Sequence, residues 1–96
     1  MDTTETVRTK REEILRLATG HRTSNVRLFG SVARAAAGPD SDVDILVTAL
    51  PGCSLFDLGG LQADLEDLLG TRVDVVIDTD LKPRLRDRIL KEAIPL

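Results

Sequence analysis

Leu28-Phe29-Gly30-Ser31, then ten residues, then Asp42-Val43-Asp44-Ile45-Leu46-Val47, decides how this chain is read, and thirty positions beyond Asp44 comes Arg72-Val73-Asp74-Val75-Val76. The β-branched run after Asp42 argues for a buried strand. Its two-residue side-chain period puts Asp42 and Asp44 on one face, with Cα atoms roughly 7 Å apart. Two like charges at that distance repel by roughly 2 kcal/mol at an effective dielectric of about 20, and a divalent cation between them reverses the sign. Hard carboxylate oxygens suit Mg²⁺, which keeps part of its water shell and shares substrate phosphates. Asp74 lies in a second apolar run of strand character, so a neighbouring strand can bring it to the same cluster.

Gly30-Ser31 supplies a seat for a phosphate. It follows a short strand, Val26-Arg27-Leu28-Phe29; the glycine permits close backbone approach, and Ser31 can cap a helix through Val32-Ala33-Arg34-Ala35-Ala36-Ala37. Amide N–H groups at such a helix start face an anion, and Arg34, one turn in, can add a charge-assisted contact to a triphosphate. Taken singly, each piece has a plainer reading: a strand-start Asp-x-Asp, a Gly-Ser cap, a strand-end carboxylate, a solvated arginine. Together, three carboxylates in two apolar strands need a reason to tolerate burial and mutual repulsion. A metal-dependent nucleotidyl-transfer site supplies that reason.

At these residues the chain resembles the minimal nucleotidyltransferases, the smallest members of the DNA polymerase β-like superfamily. Their signature is Gly-Ser, ten residues, Asp-x-Asp and a third Asp on a later strand, matched here by Gly30, Ser31, Asp42, Asp44 and Asp74. Phe29–Arg34, Ser41–Val47 and the closing Ile89-Leu90-Lys91-Glu92-Ala93-Ile94 extend the resemblance over nearly the whole chain. Ala35 departs from it, standing where the family usually has glycine after the arginine; Gly38-Pro39 nearby can take over the turn.

The resemblance implies a two-ion reaction on ATP. Asp42 and Asp44 hold one Mg²⁺ that bridges the nucleotide phosphates, and with Asp74 a second that lowers the pKa of an attacking hydroxyl. Gly30, Ser31 and Arg34 bind the nucleotide. It also implies a partner, because minimal nucleotidyltransferases are typically paired with a helical HEPN ribonuclease toxin, and active ones adenylylate a tyrosine on it. Two other functions compete: a binding module that neutralises its partner by occlusion, and a free-standing enzyme acting on a small hydroxyl compound.

Bulk properties bound the rest. Ninety-six residues read as one domain, 1–96, burying somewhat over ~60% of the surface of its unfolded chain, with no room for a second substrate-binding domain. With 30% charged and 42% hydrophobic residues and mean hydropathy near zero, the composition is that of a soluble globule without a membrane span or signal peptide. The single cysteine, Cys53, allows no internal disulfide and fits a cytoplasmic setting; it reads as a small loop residue. Net charge −3, with two phenylalanines and no Trp or Tyr, argues against a general nucleic-acid binder. An oligomer is left open.

The expected fold is α/β, a three-stranded mixed sheet in the order α-β-α-β-α-β-α. Asp2-Thr3-Thr4-Glu5 reads as a capping box for a helix over about 4–18, with Val7, Arg11, Ile14, Leu15 and Ala18 at helical spacing and Gly20 as a stop. His21 follows in a polar loop as a solvated side chain. Strands are expected at about 25–29, 42–48 and 72–77, and a second helix at 31–37. A third helix is capped by Ser54-Leu55-Phe56-Asp57, presents Leu55, Leu58, Leu61, Leu65, Leu68 and Leu69 on one face and ends at Gly70. Gly59-Gly60 in its middle implies a close helix-to-sheet approach or a kink. The last helix runs from about Thr79-Asp80 to Ala93, with Leu81, Leu85, Ile89 and Leu90 as a core face and Lys82, Arg84, Arg86, Arg88 and Lys91 behind it.

Overall fold

Three β-branched or apolar runs pair side by side as the sequence predicts, and a fourth short strand joins them. The computed structural model describes residues 3–33 and 42–96. Along the chain these form α1 (Thr3–Thr9), α2 (Arg11–Gly20), β1 (Thr23–Phe29), α3 (Gly30–Ala33), β2 (Val43–Ala49), α4 (Leu55–Leu69) and β3 (Val73–Ile77). A single 3-10 turn at Asp78–Asp80 leads to α5 (Pro83–Glu92) and β4 (Ile94–Pro95). The sheet runs β3-β2-β1-β4, with β2 antiparallel to β1, β1 antiparallel to β4, and β2 parallel to β3. The expected mixed sheet is present, with four strands in place of three. The added strand comes from the end of the chain: α5 stops at Glu92, Ile94 and Pro95 pair with Leu28 and Arg27, and the Leu96 N–H donates to the Val26 carbonyl at 2.9 Å. Proline is tolerated there because β4 is an edge strand.

The alternation of β2 sorts the sheet into two faces. Val43, Ile45 and Val47 are fully buried and join Val26, Leu28 and Val73 against Val7, Ile14 and Ala18 of the first two helices and Leu61 and Leu65 of α4. The opposite face carries Phe29 and Arg27 of β1, Asp44, Leu46 and Thr48 of β2, and Asp74 and Val76 of β3, as the register partners show.

Several local expectations are corrected. The first helix is two helices meeting at Lys10, whose φ/ψ of −101°/20° departs from helical values. The Thr9 hydroxyl donates to the Glu5 carbonyl at 2.9 Å, a back-bond of the kind that bends helices, and Lys10 Nζ reaches the Leu68 carbonyl of α4 at 3.0 Å. β1 begins earlier than expected, at Thr23, with a bulge between Ser24 and Arg27 where Asn25 takes φ +52°. In α4 the Ser54–Asp57 capping box forms and Gly70 closes the helix at φ +68°. Leu55, however, is exposed, because it lies ahead of the turn that meets the core. Gly60 admits the His21 ring rather than the sheet: a Cβ there would stand 2.8 Å from His21 Cε1. His21 is accordingly half-buried and pairs with Asp64 at 2.8 Å, not free in solvent. Finally, α5 has no buried residue, and Leu85 and Leu90 of its expected core face are exposed. The 3-10 turn and the extended step to Pro83 displace its start, and Pro83 takes the first helical position. The capping residue Asp2 and most of the expected second helix, including Arg34 and Ala35, lie outside the described residues, as does Gly38-Pro39.

Candidate active site

Parallel pairing of β2 with β3 is in register from Val43↔Val73 to Val47↔Ile77, which makes Asp44 and Asp74 direct partners. Paired residues on adjacent strands point to the same face, with backbones about 4.8 Å apart. Asp42 lies one side-chain period ahead of Asp44, just before β2, where the Val43 N–H donates to the Arg72 carbonyl at 2.9 Å. Asp42 and Asp74 are exposed and Asp44 is half-buried. Asp44 and Asp74 therefore share one face of the sheet, and Asp42 immediately precedes the strand at the same end.

On its other side Asp44 meets the end of β1. Phe29 is its antiparallel partner, and the next residue, Gly30, turns the chain into α3 at φ +71°. A Cβ on Gly30 would fall within 3.2 Å of Asp44 Cγ and overlap its Oδ2. Glycine is thus required twice, by the left-handed backbone and by the carboxylate lying against it. Ser31 follows in the first turn of α3. Gly30, Asp44 and Asp74 form a row across three chain segments, in the order turn, central strand, edge strand.

The donor set is oxygen only. Among the described residues no group of three His, Cys, Asp or Glu side chains converges tightly enough to hold an ion unaided. Such an open arrangement suits Mg²⁺, which is commonly bound through one or two carboxylates while water and substrate phosphates complete its shell. The absence of a Cβ at Gly30 lets the Asp44 carboxylate lie against the turn, and a carboxylate oxygen there is a donor of the kind Mg²⁺ takes.

Sequence reasoning missed a polar brace further along this face. Asp78 Oδ2 accepts from Thr48 Oγ1 at 2.6 Å and from Arg27 at 3.0 Å, and the Arg27 Nε–H donates to the Asn25 carbonyl at 3.0 Å. Desolvation would raise the Asp78 pKa, but the hydrogen bonds from Thr48 and Arg27 and the Arg27 charge outweigh it and hold the carboxyl below its ordinary value. The brace ties β1, β2 and the end of β3 together on the carboxylate face. The two-residue spacing of Asp74, Val76 and Asp78 was the available signal. Cys53 sits in the loop before α4, its thiol directed at the His21 and Ser54 carbonyls; desolvation and the Asp57 carboxylate push its pKa up against Arg22, so it is no activated nucleophile.

Residues 7–96 match the nucleotidyltransferase domain model, and the chain belongs to that family. It is 40% identical over 84 residues to the "Putative protein adenylyltransferase MJ0435" of Methanocaldococcus jannaschii, covering 88% of this chain and 90% of the relative. It is 37% identical over 91 residues to the protein adenylyltransferase MntA of Thermococcus cleftensis, covering 86% and 92% respectively. A solved structure of a "putative minimal nucleotidyltransferase" superposes with TM-score 0.89 at 51% identity, covering 100% of this chain and 97% of the other. The same fold recurs, at 22% identity and TM-score 0.74, in a toxin–antitoxin structure with AMP-PNP, over 88% of this chain and 69% of that one. This chain is thus an enzyme of the nucleotidyltransferase class in its minimal form. None of its described helices is long and apolar enough to cross a membrane.

Proposed function

We propose that this chain transfers AMP from ATP to a hydroxyl group of a partner protein, and that the partner is a HEPN-type toxin which the transfer silences in the cytoplasm. The row Gly30–Asp44–Asp74 is the observation that carries the reading. On this reading Gly30 is the phosphate seat, Asp44 the phosphate-side carboxylate and Asp74 the acceptor-side carboxylate, and their adjacency across the sheet supports that order. Two relatives named as protein adenylyltransferases, each matched over most of both chains, support a protein as the acceptor.

Asp42 and Asp44 would hold the Mg²⁺ that accompanies the triphosphate and, together with Asp74, a second ion on the acceptor side. Bound there, the ions neutralise phosphate charge and favour the ionised acceptor hydroxyl. Gly30 and Ser31 seat the phosphates through their backbone, with Arg34 as a further anion contact. Asp74 orients the acceptor hydroxyl and takes its proton. The acceptor oxygen forms a bond to the α-phosphorus as the bond from that phosphorus to the leaving oxygen breaks, and pyrophosphate departs. The protein contributes chiefly positioning and charge complementarity.

One observation favours a second reading, neutralisation by occlusion. Leu50, Leu55 and Phe56 around the start of α4 are exposed, Phe56 at 91%, an apolar knob suited to contact with a protein. Incubating the chain with labelled ATP, Mg²⁺ and a co-expressed helical partner separates the two. Label on the partner, lost in Asp42→Asn plus Asp44→Asn, supports transfer; protection by the double variant without label supports occlusion.

A further inference from the structure

Among the described residues β3 is an outer strand of the sheet and pairs with β2 alone. In a parallel ladder alternate residues of an edge strand turn their amide groups outward. Because the Val43 N–H takes the Arg72 carbonyl, Asp74 and Val76 face β2, whereas Val73, Val75 and Ile77 face away from it. The Val73 N–H is taken by Glu66 Oε2 at 3.1 Å. The N–H and C=O of Val75 have no partner among the described residues. Natural edge strands are usually guarded by lysine, proline or a bulge, and Val73-Asp74-Val75-Val76-Ile77 has none of these. Its one charge is Asp74, placed at the acceptor end of the carboxylate row.

We propose that the acceptor protein docks by adding an extended segment to this edge, antiparallel to β3, with its hydroxyl-bearing residue opposite Asp74. The inference rests on the protein-acceptor reading above and specifies how that acceptor is presented. An antiparallel segment that exchanges both hydrogen bonds with Val75 makes the residue opposite Asp74 a non-hydrogen-bonded partner. That is the closest pairing a sheet offers, with Cα atoms about 4.5 Å apart and both side chains on one face. Asp44, Asp74 and the acceptor residue then stand in line on the carboxylate face, with the acceptor beside Asp74 and the Gly30 seat beyond Asp44. A second copy of this chain is disfavoured as occupant. Antiparallel pairing of β3 with itself about Val75 brings two Asp74 carboxylates diagonally close on one face, a repulsion of roughly 2 kcal/mol at about 7 Å and an effective dielectric near 20.

Val75→Pro tests this: the N–H it removes points outward and proline is acceptable on an edge strand facing that way, while the side chain it replaces packs against the core, so the fold of the variant is verified first by circular dichroism. The probes are a seven-residue peptide of alternating threonine and valine with a central tyrosine, and N-acetyltyrosine amide as an acceptor too short to pair. With Mg²⁺ and ATP the native chain should adenylylate the peptide at least tenfold more efficiently than the amide, as read by mass spectrometry. Val75→Pro should abolish that preference and leave transfer to the amide unchanged. Equal rates on both acceptors in the native chain, or a preference that survives Val75→Pro, overturns the docking mode and leaves protein adenylylation standing. No transfer to peptide, amide or helical partner overturns the protein-acceptor reading and the inference with it. Should the variant fail to fold, hydrogen exchange on the native chain decides. The Val75 amide should slow on adding the peptide. An unchanged rate, or slowing with protein concentration in its absence, overturns the proposal.

Discussion

The carboxylate of Asp44 occupies the space in which a side chain on Gly30 would begin, a Cβ there lying within 3.2 Å of Asp44 Cγ. With Gly30 at φ +71°, the turn out of β1 and the central carboxylate of the row are built around each other. Gly30→Ala should therefore act twice. The left-handed backbone costs about 1–2 kcal/mol of stability, and Asp44 must swing away from the phosphate seat. Thermal denaturation and calorimetric titration with Mg²⁺ and ATP check both parts; native nucleotide affinity in a destabilised variant would contradict the second.

Nucleotide binding should depend on the cation. Asp42 and Asp44 repel each other and the triphosphate, so Mg²⁺ with ATP should raise the melting temperature well beyond ATP with a chelator, through the mass-action stabilisation by a bound ligand. Equal shifts in differential scanning calorimetry would refute a metal site at these residues.

The carboxylates should divide the work along the row. Asp74→Asn, on the acceptor side, is expected to keep ATP affinity within about threefold and to lower transfer at least a hundredfold, in line with loss of a general base. Asp42→Asn should weaken both. Isothermal titration paired with single-turnover transfer reads the two effects, and the reverse order would invalidate the assignment.

Asp78 predicts a pH-dependent term in stability. Its pKa is depressed in the folded chain, so the stabilisation is present above the unfolded value near 3.8 and is lost as pH falls through the lower folded value. Asp78→Asn should cost about 1–3 kcal/mol near neutral pH, the scale of hydrogen bonds to a charged group. The gap to the native chain should close in acid, below about pH 4. A constant gap in urea titrations from pH 7 down to pH 2 would show that the Arg27–Asp78 brace is unrelated to charge.

Legibility followed how local the signal was. The strand character of β2 and β3, the Ser54 cap and the Gly70 stop depend on neighbours within one turn or one strand, and they appear as expected. The register that makes Asp44 and Asp74 partners is a pairing between strands; the spacing of the signature anticipated it only because both carboxylates sit in apolar runs. What escaped was set by contacts distant in sequence. Lys10 reaches Leu68, the His21 ring lies against Gly60, and Arg27 meets Asp78; none leaves a periodic trace. The helical spacing of Leu81, Leu85, Ile89 and Leu90 predicts a core face, but Leu81 lies ahead of α5 and the helix buries no residue, because an apolar period does not say what covers the face it forms.

The most direct measurement is transfer itself: the chain, Mg²⁺ and ATP labelled on the α-phosphate, mixed with a co-expressed helical partner and resolved by mass spectrometry. The account predicts one AMP on a partner hydroxyl per pyrophosphate released, almost none on this chain, which has no tyrosine, and no product with Asp44→Asn. An unlabelled partner that is nonetheless neutralised, or label found only on a small hydroxyl compound, would contradict it.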